Sequence, residues 1–190
     1  MIETEFCPCL KSPTGALGMF QFLKSHGQEY GLKTVAGADE KKPDDRCKPD
    51  LAARAASLYF NKLLDENFGR NAIGFPLSVA AFNAGEGNTK THLKIAKGET
   101  KTEDISFWFL ADYIVKKYDK PADDKEETSD EEENKENPRG VRQFLSENIK
   151  YVPKFFAAAI IGENPGVFGI NISPLSQAKA DSKQTKRAVK

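Results

Sequence analysis

Glu3 heads the stretch Glu3-Thr4-Glu5-Phe6-Cys7-Pro8-Cys9-Leu10-Lys11-Ser12-Pro13-Thr14-Gly15-Ala16-Leu17-Gly18-Met19-Phe20-Gln21, a carboxylate followed by a glycine-rich turn and polar side chains. A positioned carboxyl group can act as a general acid or base. Around it, Ser12 supplies a hydroxyl that serves a ligand or simply caps a turn. Gly18 either lets a ligand approach the backbone or answers a structural demand. Met19 offers backbone polar groups and a flexible thioether, and Gln21 an amide fit for a ligand or for tethering the loop. Farther on, Asn83 can bond a ligand or the local backbone, Glu147 can contact a ligand or form an ion pair or cap, and Tyr151 can stabilise charge or pack the core. Residues 3, 21, 83 and 151 are far apart in sequence, so only the fold can assemble them.

The elements that must do so read as helices. From Asp50 to Gly69, Leu51, Ala55, Leu58, Tyr59 and Leu63 recur at spacings of three and four, with Pro49 and Gly69 as ends. Leu77 to Ala84 is a short apolar helix stopped by Gly85. Asp104 caps a helix that carries Phe107, Trp108, Ala111, Ile114, Val115 and Tyr118 on one face. Val141, Phe144 and Leu145 begin another stripe, and Pro153 starts a separate helix through Ile161. Strand signals are confined to Val35 and to 168–172. The aromatics Phe107, Trp108, Phe109, Phe144, Phe155 and Phe156 are expected mostly in the core.

The chain has 190 residues, enough for one domain with a buried core. Mean hydropathy is −0.56, and the polar character is concentrated. Residues 119–137 hold ten acids and three lysines, and 178–190 hold five basic residues and one acid. Neither segment has the apolar content to offset ordering entropy. The expected organisation is one domain from 1–118 and 138–175, an acidic insertion at 119–137 and a flexible basic tail at 176–190.

Several function classes lack support. Gly15-Ala16-Leu17-Gly18 misses the third glycine of a dinucleotide fingerprint, and no phosphate-loop pattern occurs. The basic tail has no aromatic stacking partners, which argues against a nucleic-acid function. No run approaches the roughly 20 apolar residues of a membrane helix, and no basic, hydrophobic leader opens the chain as given. Cys7, Cys9 and Cys47 leave at least one thiol unpaired and read as ordinary thiols. With His26 and His92 they do not complete a zinc pattern, so no metal is expected.

Three ordered blocks carry a family likeness. Glu3-Thr4, Phe6, Ser12, Gly15-Ala16 and Gly18-Met19-Phe20-Gln21 resemble a Glu-Ser, Phe, Ser-x-x-Gly-Ala-x-Gly-Leu-Met-Gln motif. Ala80-Ala81-Phe82-Asn83-Ala84-Gly85 resembles Ala-Ala-Tyr-Asn-Ala-Gly, and Glu147-Asn148-Ile149-Lys150-Tyr151-Val152-Pro153-Lys154 resembles Glu-Thr-x-x-Tyr-Val-Pro-Lys. Tyr30-Gly31-Leu32, Asp39-Glu40 and Trp108 fit as well. Together they resemble the soluble lytic transglycosylase domain of glycoside hydrolase family 23, related to goose-type lysozyme, in its membrane-bound murein transglycosylase D branch. The likeness runs from residue 3 to about 172. Thr4 replaces the usual serine, Met19-Phe20 replaces Leu-Met, and Phe82 replaces tyrosine.

The resemblance implies a mainly α, lysozyme-like helical domain with a substrate groove, placed in the cell envelope, periplasmic or secreted. Its implied partner is the glycan strand of peptidoglycan, with no cofactor. It also implies Glu3 as the single catalytic acid and base, with Glu5 the nearest rival, and Ser12, Gly18, Met19, Gln21, Asn83, Glu147 and Tyr151 as substrate-binding residues. Ordinary glycosidases use a second carboxylate. In this family the 6-hydroxyl of N-acetylmuramic acid instead attacks C1 and closes a 1,6-anhydro ring. The alternatives are a lysozyme-type hydrolase and an N-terminally truncated, non-catalytic peptidoglycan-binding protein.

Overall fold

The structure is a computed structural model that describes Thr4, residues 7–118 and residues 138–177. It contains six α-helices among these residues: α1 (Lys24–Glu29), α2 (Pro49–Lys62), α3 (Gly74–Ala84), α4 (Glu86–Thr100), α5 (Phe107–Tyr118) and α6 (Pro138–Glu163). The packing divides the chain into two units, Met1–Tyr151 and Val152–Lys190. Among the described residues no helix is long and apolar enough to cross a membrane.

In the first unit, α2 begins at Pro49, where a proline costs no helical hydrogen bond, and passes at Leu63–Phe68 into a wider π-helical turn closed by Gly69. Its buried face is Ala52, Ala55, Ala56, Tyr59 and Leu63; Ala55, Tyr59 and Leu63 belong to the expected stripe, whereas Leu51 and Leu58 are exposed and Ala52 and Ala56 pack in their stead. Alanines bring the neighbouring helix close, so the packing follows the small residues. α3 is the most deeply buried helix, with Leu77, Ser78, Val79, Ala80 and Ala81 all inside, and Gly85 ends it at φ 93°. The Ser78 hydroxyl is satisfied by the Gly74 carbonyl at 3.0 Å.

α4 follows directly and was not legible in the apolar pattern, since its buried stripe is only Thr89, His92 and Ala96. α5 buries Phe107, Leu110 and Ile114. Trp108 is 52% exposed and Phe109 is also exposed, so the expected core role fails for both; their spacing places them off the buried stripe. In α6, Phe144 and Asn148 are buried one turn apart, and Phe144 packs on His92 at 4.6 Å between ring centres.

In the second unit, α6 runs through Pro153 to Glu163, so Pro153 does not start a separate helix. Proline leaves the carbonyl four residues back without its helical donor. Ile149, which carries that carbonyl, is exposed, and solvent can replace the lost bond. A 3₁₀ turn at Pro165–Phe168 follows, and Glu163 accepts bonds from the Ser176 amide and hydroxyl at 3.0 and 2.5 Å.

No strand occurs among the described residues; there are only isolated bridges, Lys11 with Leu17 and Leu17 with Phe22. The Val35 amide donates to the Asp44 carboxylate instead of to a strand partner. The 168–172 piece turns at Gly169, at φ 73°. The acidic segment 119–137 and residues 178–190 of the basic tail lie outside the described residues.

Candidate functional site

The stretch from Leu10 to Phe22 folds as a self-braced loop. Gly18 N–H donates to the Leu10 carbonyl at 3.0 Å, Leu17 N–H to Phe22 at 3.0 Å, and Ser12 N–H to Ala16 at 2.8 Å. Ser12 Oγ accepts from the Ala16 amide at 3.0 Å and lies 2.9 Å from the Thr14 hydroxyl, so its side chain shapes the turn. Gly18 has φ 83°, and a Cβ there would lie 1.9 Å from the Arg46 carbonyl oxygen. Only glycine meets both conditions.

Gln21 is also in the left-handed region, at φ 53°. Its Nε2 donates to Gly18 O at 2.7 Å and to Leu10 O at 3.0 Å. Both donors are spent on the loop, and its Oε1 has no partner among the described residues. Met19 is half-buried, and its carbonyl accepts from the hydroxyl of buried Thr4 at 3.4 Å. Glu3 and Glu5, the expected acid and its rival, lie outside the described residues. Thr4, next to Glu3, is nevertheless set against the same loop.

Residues that the sequence reading passed over clamp this loop from behind. Arg46 and Asp44 form a buried ion pair, with side chains 3% and 1% exposed and Nη2 2.8 Å from Oδ2. Arg46 Nε donates to the same carboxylate, and Nη1 donates to Phe22 O at 3.2 Å and Gly15 O at 3.4 Å. Burial alone would raise the Asp44 pKa. The bonds from Arg46 and from the Val35 amide outweigh it and hold the carboxyl below its usual range. The neighbouring Asp45 is held low by Lys48 and by the Lys33 amide.

Next to Arg46, Cys47 is joined to Cys9 by a disulfide, the two lying 38 positions apart in sequence with Cα atoms 4.4 Å apart. The reading of all three cysteines as ordinary thiols is therefore corrected for this pair. The Asp44–Cys47 turn brings them together across a distance that spacing cannot reveal. Cys7 is an exposed free thiol.

Beneath the loop lies an aromatic cluster. His26 packs against Phe22 at 5.4 Å, Tyr30 at 5.1 Å and Tyr59 at 4.4 Å, and Tyr59 against Phe82 at 5.3 Å. Burial lowers the His26 pKa; Glu29 opposes the shift and Lys62 adds to it. Burial also pushes the Tyr59 phenol up to about 12, and its O–H donates to Ala81 O at 3.4 Å in the last turn of α3. Phe20 and Phe82 both rest on the core group of Phe22, Leu32, Ala55 and Ala56. The neighbours of Gln21 and Asn83 thus share one foundation.

Asn83 is half-buried, and its Nδ2 donates to Oδ1 of buried Asn148 at 3.2 Å, a link between α3 and α6. The alternative offered for Asn83, a bond to local backbone, is not formed among the described residues, and the Gly85 amide closes α3 on Ala81 O. Glu147 is exposed beside Asn148, and Tyr151 is half-buried one turn farther on. The structure therefore gathers Ser12, Gly18, Met19 and Gln21 in one loop, and ties Asn83 to the helix of Glu147 and Tyr151. Arg46, Asp44 and Asn148 were missed. The only sequence signal for the first two was a mixed-charge run between Pro43 and Pro49, which reads equally as solvated.

Comparison with known proteins adds independent findings. The family model described as the transglycosylase SLT domain matches residues 1–105. The membrane-bound lytic murein transglycosylase D of Escherichia coli K12 is 25% identical over 180 residues, 95% of this chain and 30% of that protein. The peptidoglycan transglycosylase gp16 of Escherichia phage T7 is 38% identical over 85 residues, 45% of this chain and 6% of that protein. The chain thus spans less than a third of the length of either relative.

Proposed function

The chain belongs to the transglycosylase SLT domain family, and from that premise we propose that it cleaves the β-1,4 bond between N-acetylmuramic acid and N-acetylglucosamine in peptidoglycan. Its mainly helical fold agrees with the lysozyme-like domain of that family. The observation that carries the reading is the common foundation of the Gln21 loop and the Asn83 helix end on one aromatic cluster. Phe20, beside Gln21, and Phe82, beside Asn83, pack on the same core group, which supports a shared site for the two. The two relatives, named for action on murein and peptidoglycan, supply the substrate class.

In the proposed reaction Glu3, as a carboxylic acid, gives its proton to the leaving glycosidic oxygen as the C1–O bond breaks. The resulting carboxylate takes the proton of the muramic 6-hydroxyl as that oxygen bonds to C1. The acid is regenerated, a 1,6-anhydro ring forms, and no water enters the product. Met19, Gln21 through its remaining Oε1, Asn83, Glu147 and Tyr151 line the sugar path. Ser12 and Gly18 act by shaping the loop. The domain comprises 1–118 and 138–175 and works in the cell envelope, on glycan strands.

The test is Glu3→Gln, which keeps size and hydrogen bonding but cannot deliver the proton. Soluble fragment release from peptidoglycan should fall at least about 100-fold, the usual worth of a general acid. Helical circular dichroism should be unchanged. Full activity in a folded Glu3→Gln variant would exclude Glu3 as the acid.

A further inference from the structure

Asn148 is 1% exposed, and its Nδ2 is a buried donor with no hydrogen-bond partner among the described residues. Leaving a buried amide donor unpaired destabilises a fold, and an aliphatic side chain of the same volume would fill the space without that loss. Stability therefore does not explain an asparagine at 148. Its oxygen does have a partner, because Asn83 Nδ2 donates to Asn148 Oδ1 at 3.2 Å. That bond has a direction. An amide that turns its N–H inward turns its carbonyl oxygen the other way.

Asn83 Oδ1 is neither a buried orphan nor bonded to any described residue, so it remains on the accessible side. Asn148 is held in turn by its place on α6, one turn beyond Phe144, whose ring packs on His92 of α4.

We propose that Asn148 is a positioning residue: it locks the Asn83 amide with its carbonyl oxygen facing the glycan, making Asn83 an acceptor for a sugar N–H or O–H donor. The inference rests on the reading of Asn83 as part of a glycan site. It predicts that stability and binding separate. Asn148→Leu removes the orphan donor and keeps or raises the melting temperature. It also frees the Asn83 amide to turn either end outward, which weakens binding. Asn148→Thr places a hydroxyl oxygen that can still take the Asn83 N–H.

The experiment is calorimetric binding of the hexamer of N-acetylglucosamine to the full chain and to Asn83→Ala, Asn148→Leu, Asn148→Thr and the Asn83→Ala/Asn148→Leu double variant. Asn83→Ala is expected to weaken binding about tenfold, the scale of one lost hydrogen bond in a site. Asn148→Leu should weaken it by about three- to tenfold on the same scale, and Asn148→Thr should recover most of that loss. The double variant should bind no worse than Asn83→Ala alone, because Asn148 acts only through Asn83. Asn148→Ala stands in if the leucine variant does not fold.

Wild-type affinity in Asn148→Leu, multiplied losses in the double variant, failure of threonine to rescue, or no binding by the wild-type chain would each overturn the proposal. Fragment release from peptidoglycan is read separately. A chain that binds the hexamer in this pattern but releases nothing refutes the lytic reading while upholding the role of Asn148.

Discussion

Replacing Arg46 with Ala tests whether the loop from Leu10 to Phe22 is held from behind. In the native fold the guanidinium bonds the Asp44 carboxylate through Nε and Nη2 and the carbonyls of Phe22 and Gly15 through Nη1. The carbonyls are not the main loss. Phe22 O keeps its bond from Leu17 N–H, and Gly15 is only half-buried. Asp44, however, keeps only the amide bonds of Val35 and residue 46 and is left as an uncompensated charge with a side chain 1% exposed. Breaking a buried pair from one side costs about 3–5 kcal/mol, and that is the expected loss at pH 7 in urea denaturation followed by circular dichroism. The loss should shrink as pH falls through the carboxylate range. There the wild type gives up the stability that a lowered Asp44 pKa confers, while the variant is relieved by protonating a carboxyl that burial now pushes up. Asp44→Asn combined with Arg46→Met should be less destabilised than Arg46→Ala alone, since no charge is stranded. A loss under about 1 kcal/mol, or one that grows toward acid pH, would refute the buried clamp.

Two further predictions follow from the same region. Cys9→Ser, or full reduction, should lower stability by about 4 kcal/mol on the chain-entropy relation for a 38-residue separation, measured by denaturation with and without reductant; coincident curves would show that the bond does not constrain the fold. His26 has a lowered pKa in the fold, so the unfolded chain binds the proton first. Stability should decline as pH falls from the ordinary histidine value of about 6.5 toward the lowered native one, no more steeply than about 1.4 kcal/mol per pH unit. His26→Phe should remove that slope, and an unchanged slope in the variant would assign it to other groups.

Much of the scaffold was legible where apolar residues crowd a helical period. Leu77 to Ala84 with Gly85 behind it announces α3 plainly, since so apolar a run must be buried. α4 escaped because Thr89, His92 and Ala96 are too small and polar to register as a hydrophobic stripe. In α2 the helical period picks out Ala55, Tyr59 and Leu63 correctly, but it favours large Leu51 and Leu58 for the core in place of Ala52 and Ala56, which actually pack. Gln21 and Asn83 were singled out through their motifs, but their partners were not. Leu10 O is 11 positions from Gln21, Arg46 is 24 from Phe22 and Asn148 is 65 from Asn83, and polar contacts at such range leave no periodic trace. The same holds for Cys9 and Cys47.

The most direct test of the account is mass spectrometry of fragments released from purified peptidoglycan by this chain. Muramic ends formed by attack of their own 6-hydroxyl lack one water relative to reducing ends, so the proposed chemistry predicts 1,6-anhydro-N-acetylmuramic termini that are absent after Glu3→Gln. Fragments ending only in reducing N-acetylmuramic acid would contradict it and assign the chain to hydrolysis.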